Sequence, residues 1–316
     1  MSLGFIFPGQ GAQAVGMLRE LAEEYDEIGD TFAQASQTLG FDLWALVQEG
    51  PPERLNQTEH TQPAMLTAGV AVWRVWQASG GARPACMAGH SLGEYTALVC
   101  AGALDFPEAA ALVADRGRFM QQAVPQGEGG MAALIGMDET AAQRLCNDVA
   151  EGAVLAAVNF NSPEQIVIAG AIGAVERAVA QAKARGAKRA MMLPVSGPFH
   201  CALMHPAAER MAARLREAQV RAPNIPVLHN AHLRAENDAD AIRRALVAQI
   251  ESPVRWVDTI RKMMESGIDT FLECGPGKVL ANLNRRIAKE TPVLPVFDPA
   301  SLHEALAAVS SVRRET

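Results

Sequence analysis

Aromatic side chains are scarce: phenylalanine, tryptophan and tyrosine make up 5% of the 316 residues. The interior must therefore be built from aliphatic helix and strand faces, which the 49% of hydrophobic residues can supply. Cysteine is used sparingly too. The five thiols, at 86, 100, 146, 201 and 274, are odd in number and never spaced Cys-x-x-Cys. That usage excludes a disulfide framework and a zinc ribbon and fits a reducing compartment. A basic surplus is missing: the net charge of −7 argues against nucleic acid as a main partner. It leaves room for an acidic protein that docks on a local basic patch. Long apolar runs are missing as well. The run 65–76 contains Arg74 and is too short to span a bilayer. The opening MSLGFIFPGQ has no basic run followed by an apolar stretch, so no signal peptide is expected. These absences predict a cytoplasmic globular protein, off the membrane, of two domains or one domain with an insertion.

What is present alternates strand and helix. LGFIF (3–7) reads as a strand stopped by Pro8-Gly9, followed by helical periodicity at 15–25, 29–39 and 42–49. PPERLNQTEHTQPA reads as a polar connection into a buried helix at 63–79. A strand at 84–89, a helix at 91–101 and a helix at 107–124 come next. PQGEGG (125–130) is a hinge, and beyond it the rhythm changes. Strand 131–137, helix 138–150, strands 154–160 and 165–171, helix 173–186 and strand 188–195 give the order βαββαβ of a ferredoxin-like unit. The earlier style then returns: helix 205–219, strand 225–230, helices 239–250 and 257–266, strand 270–275, helix 277–289, strand 293–297 and helix 301–313. The terminal RRET reads as a solvated end. Together these predict an α/β core with a mostly parallel sheet, residues 1–126 and 195–316, and an inserted ferredoxin-like domain at 127–194.

Between the strand and helix near residue 90 stands Gly-His-Ser-Leu-Gly (89–93). A G-x-S-x-G sequence at a strand-to-helix turn suits a nucleophile elbow, which lifts Ser91 above the sheet edge at a helix N-terminus. The competing reading makes Ser91 a helix cap, with Glu94 completing a capping box. A serine nucleophile needs a base, and there are seven histidines. His90 adjoins the serine and should point away as a structural residue. His60 and His303 lie in polar surface contexts. His200 follows the last strand of the insertion and a Gly-Pro turn, at the junction of the two domains where clefts form.

Gly9-Gln10-Gly11-Ala12-Gln13-Ala14 matches the dinucleotide-binding fingerprint after a strand, the rival reading of a nucleotide-dependent oxidoreductase. Alternatively, this loop lies against the elbow. The backbone N–H groups of Leu92 and Gln10 would then form an oxyanion hole.

With these residues in place, the sequence resembles the malonyl-CoA:acyl carrier protein transacylases. FPGQGAQ near the start, TQPA (61–64), GHSLGEY (89–95), RGRFMQ (116–121), NSPEQIVIAG (161–170), PFHCALM (198–204), PVRW (253–256) and ECGPGKVL (273–280) match that family in order. The resemblance implies a hydrolase-like core with a ferredoxin-like insertion. It implies acylation of Ser91, His200 as base, and N–H donors from Gln10 and Leu92. The backbone carbonyl of Gln249 would stand where hydrolases use an aspartate, and Arg116 would meet the substrate's free carboxylate, leaving Arg118 on the surface. It further implies ping-pong transfer from malonyl-CoA to the phosphopantetheine thiol of acyl carrier protein, with no cofactor; a monomer is the default expectation. Service to a polyketide synthase or malonate decarboxylase, and thioester hydrolysis, are the alternatives. KARGAKR (183–189) and NRRIAK (284–289) are candidate docking patches. Phe199, where relatives often carry a small residue, is compatible with malonyl, and 229–238 departs from the family pattern.

Overall fold

The structure, a computed structural model, describes residues 2–312; the terminal RRET lies outside them. Among the described residues, nine strands form two sheets. They are β1 (Leu3–Phe7), β2 (Cys86–Gly89), β3 (Gly129–Ile135), β4 (Leu155–Ser162), β5 (Gln165–Ala171), β6 (Arg189–Met192), β7 (Val227–Leu228), β8 (Thr270–Cys274) and β9 (Val293–Val296). The first sheet has the order β7-β2-β1-β8-β9, and every pairing in it is parallel. The second has the order β4-β5-β3-β6 and is antiparallel throughout, the ferredoxin-like arrangement.

Strand β1 shows why LGFIF is apolar without alternation. Phe5 and Phe7 face one cluster and Ile6 the other, so both faces are covered by helices. Two of the four tryptophans, Trp73 and Trp76, pack edge-on against Phe5 at centroid distances of 5.3 and 5.5 Å. Both belong to the helix Thr58–Ala78, which is buried along nearly its whole length. The second sheet has its own cluster, including Leu134, Leu145, Ile168 and Val175. Met131, Val158 and Val167 pack into the first core and tie the two sheets together.

Several boundaries differ from expectation. The buried helix begins at Thr58 and runs through Pro63. The stretch before it read as a polar connection, but hydrogen bonds from the His60 and Thr61 N–H groups to the Gln57 carbonyl open the helix there. The expected helix at 15–25 shrinks to Arg19–Glu24, because Gly16 (φ 85°) and Leu18 (φ 60°) turn the chain before it. That leaves no helix directly after the glycine loop to receive a pyrophosphate, so the dinucleotide reading loses its structural basis. The strand at 225–230 is only two residues long, since His229 and Asn230 leave the sheet.

Candidate active site

The register Phe7↔Gly89 and Ile6↔Glu273 aligns the carboxyl ends of β1, β2 and β8. Ligands bind at this edge in open parallel sheets, and here it carries the Pro8–Gly9–Gln10 loop beside Ser91. Ser91 adopts φ 51°, a left-handed conformation costing about 1–2 kcal/mol for a non-glycine residue. The flanking glycines permit the bend. A Cβ at Gly89 would lie 1.8 Å from the Gly93 carbonyl carbon, and one at Gly93 would lie 2.1 Å from the Phe7 oxygen. The strain is held from behind: the Ser91 N–H donates to Asn230 Oδ1 (2.8 Å), and its carbonyl accepts from Gln249 Nε2 (3.0 Å).

Ser91 Oγ stands 2.7 Å from His200 Nε2, although 109 residues separate the two. His200 Nδ1 donates to the Gln249 carbonyl at 2.9 Å. A carbonyl only accepts, so the ring proton sits on Nδ1 and Nε2 is free to take the serine proton. Burial, then the charge of Arg116, pushes the His200 pKa down to about 3. Arg116 lies on the helix Phe106–Gln122 and is 1% exposed. Gly117 beside it lets that helix close on Thr58 and Glu59, where a Cβ would come within 2.6 Å of the Thr58 oxygen. The guanidinium reaches Gln62 Oε1 (2.9 Å), Gln249 Oε1 (2.8 Å) and Ser91 Oγ (3.2 Å). Its Nε is buried without a partner. A cavity of about 120 Å³ opens over these groups, walled by Gln10, Leu92, Met120, Met131, Leu193 and Phe199. Met131 of β3 faces residues of the loops that follow β1 and β2, so the cavity lies between the two sheets.

The acyl transferase domain model matches residues 4–310. This chain belongs to the acyl transferase family. Among its relatives, the malonyl CoA-acyl carrier protein transacylase of Salmonella typhimurium is 54% identical over 302 residues, 96% of this chain and 98% of that one. The malonyl CoA-acyl carrier protein transacylase structure from Coxiella burnetii superposes with a TM-score of 0.97 at 50% identity, covering 98% of each chain. A malonyl-transacylase solved in complex with a type II polyketide synthase acyl-carrier protein superposes at 0.96 with 52% identity, covering 98% of this chain and all of that one.

Within this acyl transferase the structure corrects one reading and supplies residues the sequence did not. Ser91 makes no side-chain cap, and Glu94 does not close a capping box. Glu94 is instead fully buried, accepting from His229 Nδ1 (2.7 Å), the Asn230 N–H (2.8 Å) and Gln249 Nε2 (2.9 Å). Burial opposes a charge on His229, yet Glu94 outweighs it and raises the ring's pKa. The unassigned segment 229–238 thus has a place. Leu233 N–H bonds back to the His229 carbonyl, and the loop holds His229 and Asn230 under the elbow. Gln62, inside TQPA, is the other omission; it stood in the stretch read as a polar connection, and only the earlier start of the helix at Thr58 turns it toward Arg116. His90 turns away from Ser91 to Asn161 Oδ1 at 2.8 Å, as expected, and Arg118 pairs with Asp115 at the surface.

Proposed function

We propose that this chain moves a malonyl group from malonyl-CoA to the phosphopantetheine thiol of acyl carrier protein through a malonyl ester on Ser91, supplying fatty acid synthesis. One observation carries the reading: beside a hydrogen-bonded Ser–His pair lies a buried guanidinium whose partners are neutral oxygens. A buried cation without a counter-ion is unfavourable, and a carboxylate offering bidentate contact relieves it. An acyl donor that ends in a carboxylate brings that counter-ion with it.

His200 Nε2 takes the Ser91 proton as Oγ attacks the thioester carbonyl. The oxyanion is received by the N–H groups of Gln10 and Leu92, neither of which donates to another group among the described residues. Collapse expels the coenzyme A thiolate, which takes the proton from His200. The carrier thiol then gives its proton to His200 and attacks the ester, and Ser91 regains the proton. These steps call on no cofactor. Ser91, His200, Arg116 and Gln249 come from one chain, which supports action as a monomer, and the reduced thiols support a cytoplasmic setting. Among the described residues, no helix is long and apolar enough to cross a membrane.

For the carrier, 284–289 is the better of the two patches. Arg285 and Arg286 bond to the neutral Asn282 and Gln165, whereas in 183–189 Arg185 and Lys188 already pair with Asp148 and Glu164. An acidic partner would therefore meet uncompensated charge at the first patch.

Mixing the protein with malonyl-CoA and weighing it intact should reveal a malonyl adduct on wild type and none on Ser91→Ala. Added carrier protein should then collect the group. Release as free malonate instead would make the chain a thioesterase.

The pH dependence follows from the depressed His200 pKa. A folded pKa below the ordinary 6.5 keeps the imidazole neutral, and so basic, well into acid. Between about pH 7.5 and 5.5, kcat/KM for malonyl-CoA should change less than about threefold, whereas an unperturbed histidine would lose roughly tenfold. Stopped-time acylation across that range checks it, and a limb centred near 6.5 would contradict the geometry.

A further inference from the structure

The side chain of Gln249 has a role separate from its backbone carbonyl. Its amide oxygen accepts from Arg116 Nη2 at 2.8 Å, while its amide nitrogen donates to Glu94 Oε2 at 2.9 Å and to the Ser91 carbonyl at 3.0 Å. All three of Arg116, Gln249 and Glu94 are buried. The amide's orientation is fixed from both sides. A guanidinium only donates and a carboxylate only accepts, so a flipped amide would oppose donor to donor and acceptor to acceptor. The fold therefore buries an acid and a base on the same cluster and keeps them one amide apart. No ion pair joins Arg116 to a carboxylate among the described residues, and Glu94 is occupied by His229, Asn230 and Gln249.

We propose that Gln249 is a specificity-determining residue: its neutral amide faces Arg116 where an acid would neutralise the guanidinium, while His229 and Asn230 hold Glu94 elsewhere, so that the carboxylate of the acyl donor becomes the counter-ion. The proposal rests on the transfer reading above and deepens it. Selection of a carboxylated acyl group then depends on where the internal carboxylate stands as well as on the presence of an arginine. A glutamate at 249 would bring its own oxygen to Arg116 and fill the place meant for substrate. A methionine would remove all three hydrogen bonds but install no competing charge.

Three variants separate these effects, each read as the ratio of kcat/KM for malonyl-CoA to that for acetyl-CoA, with acyl-Ser91 measured by intact mass. In Gln249→Glu the ratio should fall about 100-fold, the effect of forfeiting two charge-assisted hydrogen bonds to substrate. The exchange variant Glu94→Gln/Gln249→Glu keeps the wild-type total charge and moves the carboxylate one position. Its ratio should fall equally, and it relieves the crowding of two acids if Gln249→Glu fails to fold. Gln249→Met should slow both donors yet keep the ratio within about fivefold of wild type, because His229 and Asn230 still hold Glu94 and position 249 stays neutral. An exchange variant that retains the ratio would overturn the proposal. So would a methionine variant that loses the ratio as completely as the glutamate, since the amide would then act through positioning alone. Failure of the underlying reading looks different: wild type itself would show no preference for malonyl-CoA.

Discussion

Replacing His200 by alanine should slow malonyl transfer by about 10⁴-fold or more, the scale on which Ser–His machinery loses its base. The expectation follows from how little else surrounds Ser91 Oγ. Its neighbours are His200 Nε2 at 2.7 Å and Arg116 Nη2 at 3.2 Å, and a guanidinium donates without accepting a proton. His90, the nearest histidine in sequence, is committed to Asn161. No second base can step in. Because the pair acts as a unit, Ser91→Ala/His200→Ala should be scarcely slower than either single variant. Single-turnover acylation measures this directly. A loss below about tenfold in His200→Ala would show that Ser91 is activated by another group.

The parts of this site legible in the sequence are those written locally. G-x-S-x-G between an apolar strand and an apolar helix announces its bend within a dozen residues, and each of its glycines is demanded by a close backbone approach. His200 was legible by its place after the insertion and a Gly-Pro turn, and the βαββαβ order announced the topology of the second sheet. What could not be read is the layer beneath. Glu94, His229, Asn230 and Gln249 come from three separate stretches and meet only because β2, β7 and the helix Ala239–Glu251 converge there. Nothing in the spacing of those residues encodes the meeting. Glu94 even carried a misleading local signal, three residues after a serine at a helix start. Tertiary hydrogen bonds from three buried donors outweighed the cap. The same competition explains the short β7: Asn230 leaves the ladder to grip the Gly89 carbonyl and the Ser91 N–H.

Arg116→Ala should erase the preference for a carboxylated donor. Two hydrogen bonds from a buried, planar guanidinium to a carboxylate contribute roughly 3 kcal/mol or more, so kcat/KM for malonyl-CoA should fall about 100-fold or further. Acetyl-CoA, which brings no charge to that corner, should lose far less and become a competing donor. The substitution also leaves a second trace. The Arg116 charge helps hold the His200 pKa down, after burial, so its removal must raise that pKa. A raised pKa means the imidazole is protonated at higher pH, and the acid limb of the kcat/KM profile should move upward from its wild-type position. Loss of a surface arginine would alter neither the donor preference nor this limb. Arg116→Lys sharpens the point, because a lysine point charge cannot span Gln62 and Gln249 as the fork does. It should recover part of the malonyl rate and not the whole. Competition between malonyl-CoA and acetyl-CoA, followed across pH in all three proteins, gives both readouts at once. An unchanged preference in Arg116→Ala would remove Arg116 from substrate recognition and leave its buried charge without a purpose.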